Sequence, residues 1–562
     1  MALIVHIIFF KTKMFWKVTT ARTLQSLVKN TSSFIVFGSF AVGGFFFARF
    51  VTAYLLHDVH IGLFLFHRFI SMMLFVFFLA INLGNMVVSF STMFRSPEVN
   101  FLLTSPVSHL NIFIIKFLDN FFYSSGTLFL AGLSVLLGYG SYFGLPWYFY
   151  LFAMFGVLVP FMFLAGCVAV IVLLVLLKLA EKVSFKGLLA LLVVFYSIQI
   201  VLYFTVTSPV HLVQEVMKYY PNVNVYFGYL DPPLTKVLPN YWAAQILLFF
   251  VAGKFTVVAG YWVMLLLTSI AAFIFMIAVG DALYYSGWLT SLTLRFFSSR
   301  SGSAKSPVFS FEKRSRFEPQ AEVLLKKEFW QFVREPSQWI HFAIMLVLVI
   351  VFLSSISTLD LKLESPPLRA AIFLVLLTFN AFLMTSIALR FAFPMMSLEG
   401  TAFWTLRSAP VHVRSVYWIK FFILLLPLIV LSLCTAVVSG IPYRMFPMLM
   451  RLSISVMVLA MVCLASLNFG LGTYFSNYTE KNPIRIASSQ GATLTFLLSL
   501  IYLVFIISIL FVPLELFFRA VYLSERFHSG TLLAATAALV AVTVAASFAA
   551  HVMGVRSLRR DF

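Results

Sequence analysis

Twelve long apolar runs divide this chain, and they leave very few folds open to it. A run of about 20 apolar residues wound as a helix crosses the hydrocarbon core, where only helices and closed barrels satisfy every backbone N–H and C=O. The runs lie near 33–56, 66–93, 117–142, 148–177, 187–208 and 256–283, then near 337–358, 369–396, 419–440, 446–472, 491–516 and 531–555. They are continuous, without the ten-residue alternation of barrel strands. Hydrophobic residues make up 62% of the 562 and charged residues 10%, too little charge to cover a soluble domain of this size. The fold class expected is all-α, a polytopic membrane protein of about twelve transmembrane helices arranged as two homologous six-helix halves.

The halves announce themselves through their connecting segments rather than their spans. Leu103-Thr104-Ser105-Pro106-Val107-Ser108-His109 is followed by Lys116-Phe117, and Arg407-Ser408-Ala409-Pro410-Val411-His412-Val413 by Lys420-Phe421. The offset is 304 residues for both the prolines and the lysines. Upstream, Leu27-Val28-Lys29 to Ile35 aligns with Phe332-Val333-Arg334 to Ile340 at an offset of 305 residues. Two separate elements sharing almost one spacing mark a duplicated module. The divisions expected are a first six-span half at 1–285, a linker at 286–320 and a second six-span half at 321–562.

Charge supports the arrangement. The net charge of +20 comes from 39 basic and 19 acidic residues. Basic residues of membrane proteins gather in cytoplasmic loops facing anionic lipid, which accounts for the excess without nucleic acid. With the basic N-terminal segment inside, the even-numbered loops fall inside too, carrying Arg95, Lys116, Lys178, Lys182, Lys186, Arg407, Arg414, Lys481 and Arg485. The expected location is a cytoplasmic (inner) membrane with both termini cytoplasmic. Met1 to Phe10 is apolar but too short to span, and Lys11, Lys13 and Lys17 follow it, the wrong order for a cleaved signal. Cys167, Cys434 and Cys463 lie scattered in apolar runs with no metal or disulfide spacing.

Between the halves, Ser298 to Pro307 has the composition of a flexible linker. From Gln320 to Arg334 the pattern turns helical, with Leu325, Phe329, Phe332 and Val333 on one face and Lys327, Gln331 and Arg334 on another. The expectation is an amphipathic helix on the membrane surface ahead of span seven. On the opposite side, Leu238-Pro239-Asn240-Tyr241-Trp242 opens an apolar run ending at Val251, too short to span and read as a re-entrant or interfacial helix.

Catalytic patterns are missing. The nearest approach to a phosphate loop, Gly302-Ser303-Ala304-Lys305-Ser306, lacks the spacing and second glycine needed to cradle phosphates. The acids Glu215, Asp231, Asp360, Glu364 and Glu525 form no paired-carboxylate motif, and His57, His60 and His67 read as interfacial histidines rather than a metal site. Asp119, Asp281 and Arg390 are intramembrane charges within a few turns of a membrane face, where snorkelling or pairing accounts for them. A proton relay through Asp119 or Asp281, as in an ion-coupled secondary transporter, is one alternative; a membrane-embedded enzyme or assembly scaffold is another.

The segments around Pro106 and Pro410 carry the most information. Each joins a polar turn, a fixed proline and a returning helix into a knob at the cytoplasmic face, so Glu98, Pro106, Lys116, Glu399, Pro410 and Lys420 are candidate site residues. With Lys326-Lys327-Glu328-Phe329-Trp330, Arg334-Glu335-Pro336-Ser337-Gln338-Trp339 and Thr479 to Gly491, these elbows resemble the ABC-2 type permease subunits of ATP-binding-cassette exporters. The resemblance implies a connecting helix bearing Phe329, Trp330, Arg334, Glu335 and Pro336. It further implies elbows that couple to a separate ABC ATPase subunit, two copies per chain. ATP and Mg would enter only through that partner, with no ATPase and no cofactor in this chain. An amphipathic or lipid-like exported substrate would suit the few charges and 67 phenylalanines, although phenylalanine is also ordinary lipid-facing bulk.

Overall fold

The computed structural model describes residues 13, 24–58, 62–94, 96–183, 185–208, 231–293, 318–334, 338, 341–343, 345–346, 349–350, 352–353, 366–440, 447–480, 483–523 and 529–558. Regular structure among them is helical throughout. The chain divides into two compact units, one of Met1–Arg22 with Phe34–Arg295 and one of Thr23–Ser33 with Phe296–Phe562.

Ten helices among the described residues are long and apolar enough to cross a membrane. In chain order the helices up to residue 293 are α1 (Leu24–Ala53), α2 (Gly62–Ser89), α3 (Pro97–Leu103), α4 (His109–Tyr142), α5 (Trp147–Leu151), α6 (Val159–Leu179), α7 (Phe185–Thr207), α8 (Pro239–Val251) and α9 (Phe255–Thr293). There follow α10 (Pro319–Arg334), α11 (Pro366–Phe391), α12 (Phe403–Ser408), α13 (Val413–Ser439), α14 (Pro447–Tyr474), α15 (Pro483–Ala487), α16 (Gln490–Leu523) and α17 (Ser529–Ser557). Two of the twelve expected spans are not among the ten. In α4 the apolar stretch among the residues whose side chains are described is Phe129–Tyr142. The run at 337–358 falls largely outside the described residues.

In the first unit α6 packs against α2 and α9, and the short helix α8 lies between α2 and α9. Its core joins Phe64, Phe75, Tyr139, Phe149, Tyr203, Trp242 and Leu265, with Phe75 and Tyr203 stacked at 3.7 Å between ring centroids. Pro160 has no N–H for the carbonyl four residues back, at Gly156, and the chain widens there into a π-helical turn, Phe152–Leu158. Trp262 Nε1 donates to that carbonyl at 2.9 Å, so α9 satisfies a group that hydrocarbon would leave orphaned.

The segment after Leu238 is a helix of 13 residues, started by Pro239 at its first position and buried along most of its length. It ends at Gly253, whose φ of +70° is open to glycine at little cost, with Lys254 N–H bonded to Phe249 O at 2.9 Å.

The second unit is built on α14, which packs against α17, α13, α11 and α16. Small residues allow the closest of these approaches. A Cβ on Gly470 would meet the Ala550 carbonyl oxygen at 2.5 Å, and one on Gly554 the Gly470 oxygen at 2.8 Å. We expect Gly470→Leu to cost about 2 kcal/mol by overpacking and to lower the melting temperature of the solubilised chain by several degrees. Gly260→Ala, where nothing lies within 4 Å, is the matched control and should leave melting unchanged or slightly raised.

Candidate functional site

The two elbows have one backbone design. In each, a short helix ends, a proline turns the chain, and the next long helix begins at the equivalent position, α3 to α4 and α12 to α13. Val107 N–H bonds to Ser105 O at 2.7 Å and Val411 N–H to Ala409 O at 2.7 Å. These three-residue turns centre on Pro106 and Pro410, whose ring-fixed φ suits them. Ile112 N–H to Ser108 O and Val416 N–H to His412 O, both 3.2 Å, then start the returning helices alike. Both prolines are exposed. So is one large aromatic ring on each short helix, Phe101 at 70% and Trp404 at 63%.

Behind each turn a lysine is drawn to a glutamate. Lys116 meets Glu98 at 2.6 Å, with the lysine buried and the glutamate side chain 45% exposed. Glu98 stands in the first turn of α3, where the helix dipole also favours negative charge. In the second elbow the pairing is deeper and larger. Lys420, with no exposed surface, pairs with both Glu399 and Glu328, the latter at 2.8 Å. Lys327 adds a second ammonium to Glu399. Two lysines and two glutamates thus close a neutral quartet joining α10, the Glu399 turn and α13, which is how an ammonium survives burial. Gln331 Nε2 donates to Leu398 O at 3.3 Å, one turn further along α10.

The Glu399 turn is placed by Gly400, whose φ of 61° and ψ of −157° exclude an L side chain in practice. Around it Asn477 N–H donates to Ser397 Oγ at 3.1 Å, and Phe403 stacks on Tyr478 at 4.9 Å. Arg407 donates from Nη2 to Leu558 O at 3.1 Å. Burial alone would push the Glu399 carboxyl up; Lys420 and Lys327 outweigh it and hold the carboxyl below its ordinary value of 4.5.

Of the residues singled out in the sequence, Glu98 with Lys116 and Glu399 with Lys420 are brought together. Glu335 and Pro336 lie outside the described residues, as does the side chain of Arg334. The helix over α10 is present, but its buried face differs from the apolar stripe expected. Phe329 is 39% exposed and Trp330 half-buried, whereas Leu324 and the ion pair of Glu322 with Lys326 are buried. Lys327 and Gln331, from the face opposite that stripe, are the residues that meet the elbow. Asp119 is half-buried in α4 and Asp281 exposed on α9. Arg390, in the last turn of α11, meets the His341 imidazole. His67 lies in α2, bonded through Nδ1 to Leu63 O and through Nε2 to Tyr139 Oη, both at 2.7 Å, and not in a loop.

Sequence reading missed a buried ion pair at the far end of the first unit. Arg68 pairs with Asp231, Tyr241 Oη donates to Asp231 at 3.0 Å, and the guanidinium lies 5.0 Å from the Tyr241 ring centre. Asn240 Nδ2 donates to Ser71 O at 3.0 Å and to Tyr203 Oη at 3.0 Å. Burial pushes the Asp231 carboxyl up against the opposing pull of Arg68 and Tyr241. Asp231 sits 163 positions from Arg68, with no motif to link them.

Lys420→Met leaves two carboxylates sharing the single ammonium of Lys327 and should cost about 3–5 kcal/mol; Glu399→Gln added to it should restore part of the loss. Lys116→Met, facing a solvated glutamate, should cost about 1 kcal/mol or less. Thermal unfolding of the solubilised chain reads both. Because the Glu399 carboxyl is lowered in the fold, its contribution is present above pH 4.5 and is lost as pH falls through the lower folded value. Melting temperature should therefore drop below about pH 4 more steeply in the wild type than in Glu399→Gln.

No curated protein and no solved structure matches the chain. A family model does match, over residues 19–561, and its description reads "Putative ATP-binding cassette". That description overturns four expectations drawn from the permease resemblance: identity as an ABC-2 exporter permease subunit, a function limited to that role, a chain without ATPase, and nucleotide chemistry confined to a separate ATPase partner. It assigns the cassette to the span that contains the membrane helices themselves.

No strand and no cluster of three metal-ligating side chains occurs among the described residues. The cleft lined by Gln338, His341, Arg390, Phe391, Pro483 and Ile484 is narrow and partly open to solvent, with a cavity volume of about 10 Å³, far below the roughly 300–1,000 Å³ of ligand pockets. By a match running nearly its whole length, the chain belongs to the ATP-binding-cassette family so described.

Proposed function

We propose that this protein is a membrane-embedded ATP-binding-cassette transporter, and that its two elbows carry ATP-driven motion into the membrane helices. One observation carries the reading: the elbows share a backbone turn, a buried lysine and an exposed aromatic at the same end of each unit's returning helix. A connection needed only to reverse the chain requires none of these. An exposed knob backed by a buried, paired lysine transmits force, since the lysine resists losing its carboxylate while the ring and proline remain available on the surface.

In this reading Glu98, Pro106 and Lys116 form the first elbow and Glu399, Pro410 and Lys420 the second. The helix bearing Phe329 and Trp330 is the lever that the Lys420 quartet ties to the second elbow. The elbows face the cytoplasm, in keeping with their cationic loops, and both termini lie on that side of an inner membrane. The full complement is twelve spans in two halves, at 1–285 and 321–562 about a linker at 286–320. Asp119, Asp281 and Arg390 act in helix packing and at the membrane interface.

The test uses native inside-out vesicles, so that the protein is probed in its own membrane. Cysteines placed at Phe101 or Trp404, in a Cys434→Ala background, are labelled with a membrane-impermeant maleimide with and without Mg-ATP. Labelling rates at both positions should change several-fold on adding Mg-ATP, and Glu399→Lys should abolish the change at Trp404→Cys. Rates indifferent to Mg-ATP at both elbows would overturn the proposal.

A further inference from the structure

The elbows share a backbone but not a seat. The first is held against α9 by aromatic and neutral polar contacts: the His109 ring stacks on Tyr285 at 4.6 Å, and Trp288 Nε1 donates to Asn100 Oδ1 at 3.1 Å. Its glutamate remains 45% exposed while paired with Lys116. The second is held by Glu399, whose side chain is 5% exposed and lies between two ammonium groups. Lys420 has no exposed surface and faces a second carboxylate, on α10. Exposed pairs are screened by water and salt and open readily, whereas a buried quartet opens only by exposing unpaired charge to the apolar interior.

From this difference in burial and attachment, and resting on the force-transmitting reading of the elbows, we propose that the two elbows are mechanically unequal. The second elbow and α10 move as one rigid piece locked by the Lys327, Glu328, Glu399 and Lys420 quartet. The first elbow yields by rotating and re-forming its contacts on α9. A stroke delivered to both elbows then reaches the second unit's helices directly and the first unit's with slack. Such inequality suits a fused chain, in which one sequence can specialise each half, as it does here.

Hydrogen–deuterium exchange of the full chain in lipid nanodiscs, read by mass spectrometry without nucleotide, tests the inequality apart from any transport activity. Peptides covering 97–103 should exchange at least about tenfold faster than those covering 403–408, and 0.5 M salt, as an order-of-magnitude choice several-fold above the physiological range, should widen the gap. Lys420→Gln should bring 403–408 up to the rate of 97–103, and Lys420→Arg should keep it slow. Equal exchange at the two elbows overturns the proposal, as does a 403–408 segment unmoved by Lys420→Gln. Because Lys420→Gln could loosen the whole unit, peptides of α14 around Met461 serve as reference; exchange rising equally there would assign Lys420 to general stability and also overturn the lock. None of these outcomes bears on whether Mg-ATP moves the elbows, which the maleimide experiment decides separately.

Discussion

An ammonium buried at the end of a membrane helix cannot stand alone, and that constraint organises the second unit. Lys420 has no exposed surface, so two carboxylates come to it, one from the Glu399 turn and one from α10. Everything nearby serves that meeting. Gly400 allows the turn that presents Glu399, Tyr478 and Asn477 hold the turn from the side, and Gln331 keeps α10 in register. A hydrophobic residue at 420 would be easier to bury. The charge gains a fixed geometry between a surface helix and an elbow, which an apolar contact of similar area would not specify.

The first unit meets the same problem at its opposite end. Arg68 and Asp231 neutralise one another beneath the short helix α8, and Asn240, Tyr203 and Ser71 satisfy the polar groups beside them. Within hydrocarbon each polar group must find a partner in the protein, so polar side chains buried in such a bundle specify which helices touch. The carbonyl freed by Pro160 and taken up by Trp262 shows the rule acting on backbone.

Much of this architecture was legible in the chain because hydrocarbon imposes a long, uniform pattern. Ten of the expected spans read directly as apolar runs, and the proline-to-lysine repeat pointed to elbows whose turns prove superimposable in their hydrogen bonding. Less was legible where charge is used against its usual habit. Lys327 and Gln331 read as the polar face of a surface helix, yet they meet Glu399 and Leu398; Phe329 looks like the buried stripe, yet it is exposed. Periodicity assumes that apolar means buried, and a helix docked through salt bridges inverts it. Arg68 and Asp231 escaped notice because pairing across 163 positions leaves no local trace. The family description in turn corrected a reading, drawn from the permease resemblance and the missing phosphate loop, that confined ATP to a separate chain.

The most direct test of the force-transmitting elbow is a pair of single-particle structures of the protein purified from its native membrane, with and without Mg-ATP. The account predicts two states in which α10 and the segment 397–420 move together, with the Lys420 pairs to Glu399 and Glu328 intact in both. A state in which α10 separates from Glu399, or an elbow that holds one position in both conditions, would contradict it.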